Sequence, residues 1–142
     1  MRKLPGNYRA AASIPVLVVG SSAENGSILV DGCGFSATPC VDAGDALEML
    51  RRGRHQVVLC DLDLHESGGK VLLNAICADF PGAAVIAITR PGKLRNGVLA
   101  MIAGASGYIQ MPLHPATVVA SLRGALRRKR LDSAVRGKTS PL

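Results

Sequence analysis

"VVLCDLDL", Val57 to Leu64, stays apolar for four residues and then turns acidic. An unbroken apolar run of this length reads as a strand covered on both faces, since a strand with one wet face would alternate. Such a strand carries Asp61 to its carboxyl edge, with Asp63 two residues beyond. Runs of the same kind lie on either side, "IPVLVVG" at Ile14–Gly20 and "AAVIAI" at Ala83–Ile88. Two weaker strands are expected at Phe35–Val41 and Gly107–Gln110. Pro39 lacks an amide hydrogen, which assigns the first of these to a sheet edge.

Helix-period segments separate the strands. A short helix is expected within Glu24–Asp31, stopped by Gly32 and Gly34. Asp45–Gly53 places Ala46, Leu47 and Leu50 on one face, with Arg51, Arg52 and Arg54 at the carboxyl end where positive charge suits the helix dipole. Ser67 can cap a helix over Gly68–Phe80 whose inward residues are Val71, Leu72, Ala75 and Ile76, and Pro81-Gly82 ends it. Lys93–Ala103 follows, with Gly104 as a left-handed stop. His114-Pro115 opens the last helix, striped by Val118, Val119, Leu122 and Leu126 and running out near Arg130. Strands alternating with helices imply an α/β single domain: a flavodoxin-like open five-stranded parallel sheet, order 2-1-3-4-5, with helices on both faces. In that order the crevice opens at the carboxyl ends of strands one and three. Gly20, Ser21, Ser22 and Asp61 line it, with Thr89, Arg90 and Met111 alongside.

The chain has 142 residues, 48% hydrophobic and 3% aromatic, enough for one core built from aliphatic side chains. The formal charge is +7 but sits at the ends. Arg2, Lys3 and Arg9 open the chain, and Arg123, Arg127, Arg128, Lys129, Arg130, Arg136 and Lys138 close it against Asp132, leaving the body slightly acidic. The division expected is a basic tail over 1–13, a domain over 14–130, and a basic tail or linker over 131–142. Basic ends of this kind bind nucleic acid non-specifically at most, because the chain offers no recognition motif and few rings for stacking. Cys33, Cys40, Cys60 and Cys77 show no C-x-x-C spacing and read as reduced thiols of a cytoplasmic protein. No stretch is long enough to span a membrane. "MRKLPGNYR" followed by "AAASIPVLVVG" has the outline of a signal peptide, but the apolar part repeats the later strands and is read as the first of them.

From Ile14 to about Arg130 the sequence resembles a response-regulator receiver domain of bacterial two-component systems. "VVLCDLDLHESGG" is similar to the family's strand-three segment, with Asp61 at the phosphoacceptor and Gly69 at the closing glycine. "VIAITR" carries the switch hydroxyl position at Thr89. "AGASGYIQMPL" carries the aromatic switch position at Tyr108 and the proline at Pro112. The resemblance implies an output or partner face that includes Leu94, Val98, Met101, Tyr108 and the outer side of the last helix. That face serves signalling proteins, an output domain or a second copy of the chain.

The departures from the family bear on chemistry. The acidic pair that holds Mg²⁺ at the end of strand one is replaced by Gly20 and Ser21. The lysine before the strand-five proline is Met111, and His65 replaces a proline. Phosphoryl transfer relies on positioning and cations. Magnesium prefers oxygen ligands in an octahedron, normally fixed by one or two carboxylates. At an effective dielectric near ~20, a unit charge about 4 Å away is worth about 4 kcal/mol, so losing both cations slows transfer by powers of ten. The expectation is an atypical, degenerate receiver: a non-enzymatic interaction module with no cofactor and weak or absent Mg²⁺ binding. In it Asp61 is held by the neutral hydroxyls of Ser21 and Ser22. The alternative is a response regulator phosphorylated at Asp61 by a histidine kinase. Asp61, Asp63 and His65 are not expected to form a dedicated metal site.

Overall fold

The computed structural model describes residues 13–20, 34–63 and 68–139, with side chains to residue 131. Five parallel strands, β1 (Ile14–Val19), β2 (Phe35–Cys40), β3 (Val57–Asp61), β4 (Ala84–Thr89) and β5 (Gly107–Gln110), form one sheet in the order β2-β1-β3-β4-β5. The described helices are α1 (Ala43–Arg51), α2 (Gly68–Asp79), α3 (Leu94–Ala103) and α4 (Pro115–Thr139). The expected sheet order and flavodoxin-like architecture are those observed. β2 is an edge strand, as Pro39 requires. The expected helix within Glu24–Asp31 and the cap at Ser67 lie outside the described residues.

Neighbouring residues of a strand point to opposite faces, so each apolar run feeds two cores. On one face Leu17, Val19, Val58, Cys60, Val85 and Ala87 pack under Leu50 of α1, Leu72 and Ile76 of α2 and Ala100 of α3. On the other, Val16, Val18, Leu59, Ile86 and Ile88 pack under Val118, Leu122 and Ala125 of α4. All are buried, each large aliphatic side chain contributing on the order of 1.5–3 kcal/mol by leaving water. This double coverage is why β1, β3 and β4 read as unbroken apolar runs.

Three element details differ from expectation. α1 begins at Ala43, because the Asp42 carboxylate accepts a hydrogen bond from the Gly44 amide and caps the helix two residues early. In α2 the inner stripe is Gly69, Leu72, Leu73 and Ile76, and Val71 is 65% exposed. Gly69 sets that face: a Cβ on it would stand 2.3 Å from the Asp61 carbonyl oxygen, so only glycine lets the helix approach the end of β3. α4 continues past Arg130 to Thr139. Gly104 does end α3 in the left-handed conformation, with φ 118°.

Cys60 is fully buried, and burial, then the neighbouring Asp61 and Cys77, push its thiol up to about 12. Cys77 is only half-buried, although burial raises its thiol too. Thiolates, not thiols, are alkylated. Iodoacetamide at pH 8 is therefore expected to label Cys77 in the folded protein and Cys60 only as the chain unfolds. Peptide mapping by mass spectrometry distinguishes the two. Equal labelling rates would show that the centre of the sheet is not closed.

Candidate functional site

The parallel register brings the predicted crevice residues to one edge. β1 lies between β2 and β3, and its last residue, Val19, pairs with Cys60. Gly20 therefore ends beside Asp61. Asp61 pairs with Ile88, which places Thr89 and Arg90 just beyond it. Met111 follows β5, its amide donating to the Thr89 carbonyl at 2.7 Å.

Asp61 is 1% exposed. Gly20 closes one side of it. A Cβ at residue 20 would stand 2.4 Å from the Asp61 Cβ and 3.1 Å from its Oδ2, and φ of 145° strains any other residue. The carboxylate is satisfied from two other directions. Asp61 Oδ1 accepts from the Asp63 amide at 2.9 Å, and Oδ2 accepts from an Arg90 guanidinium NH2 at 3.3 Å. Arg90 Nε also donates to Asp63 Oδ2 at 2.9 Å. One guanidinium thus spans both aspartates, in the rigid fork geometry that suits carboxylates. Its side chain is 37% exposed, while that of Asp61 is 2% exposed, so the bridge runs from the interior to the rim.

Thr89 is 1% exposed, and its Oγ1 meets no hydrogen-bond partner among the described residues. Met111 is half-buried and packs against the core under α4, as a space-filling residue does. Ser21 and Ser22 lie outside the described residues. The expected hydroxyl partners of Asp61 thus fall on residues not described, and among the described residues its partners are the Asp63 amide and the Arg90 guanidinium. Sequence reading placed Arg90 near the crevice without assigning it a partner. The available signal was an arginine directly after the strand that lies against Asp61.

The residues named for an interaction face are at the surface. Leu94, Val98 and Met101 are exposed on α3. Tyr108 is exposed, and its ring lies against Gly97, where a Cβ would stand 2.6 Å from the ring. Leu99 and Ile102 are exposed as well, so the apolar surface of α3 is broader than the sequence pattern indicated. Among the described residues no helix is long and apolar enough to cross a membrane.

Comparison with known proteins agrees with this fold. The chain is 30% identical over 118 residues to TcrX of Mycobacterium tuberculosis, covering 81% of this chain and 50% of the relative. It is 32% identical over 114 residues to the DNA-binding response regulator MtrA of Mycolicibacterium smegmatis, covering 80% and 50%. The chain thus spans about half the length of these relatives. Among solved structures, NtrX of Brucella abortus in complex with ATP superposes with a TM-score of 0.82 at 24% identity, over 93% of this chain and 30% of that one. A CheY-like receiver domain protein of Methanospirillum hungatei superposes with a TM-score of 0.75 at 22% identity, over 85% and 99%; both superpositions speak to the fold. The family described as response regulator receiver domain matches residues 13–123. That match takes in every strand of the sheet and the edge on which Asp61, Thr89 and Met111 meet, and the chain belongs to the response regulator receiver family.

Proposed function

We propose that this receiver domain is a signalling interaction module in which Arg90 neutralises Asp61 and magnesium-dependent phosphorylation plays no part. The Arg90 bridge is the observation that carries this reading. In the family a carboxylate pair holds Mg²⁺ beside the phosphoacceptor. Here Gly20 occupies one of those positions, with its backbone packed too closely on Asp61 to admit a side chain. Both oxygens of Asp61 are engaged, and Asp63 is engaged by the same arginine. Among the described residues no group of three or more His, Cys, Asp or Glu side chains is placed to hold a metal. A dication that prefers an octahedron of oxygens and keeps several waters does not fit these donors. Displacing Arg90 to seat it would also expose Asp63 to a lost partner.

Signalling then passes through contact. The exposed apolar side chains of α3 and Tyr108 support docking of a signalling protein or an output domain, or a homodimer through α3, β5 and α4. The match covers half the length of these relatives, which is consistent with an output domain as the partner. The protein acts in the cytoplasm, is not an enzyme, and uses its basic tail for at most non-specific contact with nucleic acid.

One observation favours the alternative, phosphorylation at Asp61 by a histidine kinase. The buried Thr89 hydroxyl, without a partner among the described residues, is where an oxyanion would find a donor. Intact mass spectrometry after incubation with a small phosphodonor and Mg²⁺ separates the two readings. No adduct is expected. A stoichiometric phosphate adduct that disappears in Asp61→Asn would establish the phosphoacceptor and overturn the contact-only reading.

A further inference from the structure

A second concavity lies at the opposite end of the sheet, by the amino ends of β3 and β4. It has a volume of about 550 Å³, within the ~300–1,000 Å³ range of small-molecule sites. Leu50 of α1, Phe80 after α2 and Leu126 of α4 give it an apolar wall. Lys129 and Arg130 of α4 line it too, and among the described residues no acidic one does. Lys129 is not a wandering surface charge, because its ammonium donates to the Pro81 carbonyl at 3.0 Å and is held over the opening. His55 lines the same cleft and is half-buried. Its Nε2 lies 3.3 Å from Thr38 Oγ1, while Nδ1 is buried and meets no partner among the described residues. Burial, reinforced by Arg54, lowers the His55 pKa and keeps the ring neutral, available for one more hydrogen bond.

We propose that this cleft binds a small organic anion, its apolar body on Leu50, Phe80 and Leu126 and its charge at Lys129 and Arg130. Leu126 stands one turn before Lys129 and Arg130 on α4, while Leu50 and Phe80 come to the cleft from other elements, so charge and apolar surface line one opening. A ligand must therefore carry both features to use it, and neither a bare anion nor a neutral ring suffices. Long basic side chains also cover apolar surface with their stems, so the cations can fold over such a ligand while their heads stay wet. The site is independent of the Asp61 edge, and its occupancy offers a second input to the domain from the far side of the sheet.

The test is an amide-shift titration of the full 142-residue chain with phenyl phosphate, with inorganic phosphate and benzyl alcohol as controls. Saturable shifts are expected at Gly53, Gln56 and Gly82, with affinity for phenyl phosphate roughly tenfold or more above either control. Lys129→Met combined with Arg130→Gln is expected to weaken that binding about tenfold and leave the strand amides unmoved. Should the double substitution disturb folding, Arg130→Gln alone, on the exposed side of α4, gives the same comparison. Absence of saturation overturns the proposal. So do shifts centred on Asp61, or an equal response to inorganic phosphate, which would mark an adventitious ion only.

Discussion

Arg90→Ala is expected to lower the unfolding free energy by about 2–3 kcal/mol. Removing one partner of a fully buried ion pair costs about 3–5 kcal/mol, because the remaining charge stays in a poor solvent. Asp61 meets that condition, whereas Arg90 reaches the rim and is partly screened, which brings the figure down. The loss is specific to charge. Arg90→Ala in an Asp61→Asn background is expected to cost less than about 1 kcal/mol, since the neutral amide no longer needs a cation. Urea denaturation of the four proteins closes the cycle. A coupling near zero would mean that the bridge contributes nothing and that Asp61 draws its support elsewhere.

Gly20→Asp, the change that restores an acidic residue at the end of β1, is expected to destabilise the domain by more than about 3 kcal/mol. Its Cβ would fall inside the contact distance of the Asp61 Cβ, its backbone would sit at φ 145°, and its carboxylate would stand beside another buried one. Gly20→Ala separates the steric part from the electrostatic part. Thermal unfolding of both checks the ordering, with the aspartate variant the less stable. A Gly20→Asp protein as stable as the parent would show that β1 and β3 can part at this edge, and with them room for a metal.

The architecture was legible because double burial leaves a plain trace. Strands β1, β3 and β4 have no wet face, so they appear as unbroken apolar runs, and Pro39 names the edge. Local rules were less sufficient where a single contact decides the face. Val71 fits the helical stripe as well as Leu73 does, and only the seating of Gly69 against the end of β3 turns Val71 outward. At the site, the type of residue at each crevice position followed from register, including Gly20 and Met111. The Arg90 bridge did not, because a guanidinium beyond a strand end can reach in several directions and the pattern of apolar residues says nothing about which. The breadth of the apolar surface on α3 was missed for a related reason: Leu99 and Ile102 look like core residues in a helix that is apolar throughout Val98 to Ala103.

A magnesium titration followed at the Asp63 and Arg90 amides tests the central claim most directly, because the Asp63 amide donates to the carboxylate that a metal would have to take. With Asp61 neutralised from within, these signals are expected to drift linearly up to about 20 mM Mg²⁺, as for weak screening of surface charge. A saturable shift with a millimolar midpoint, abolished by Asp61→Asn, would contradict the account and return the domain to the metal-using members of its family.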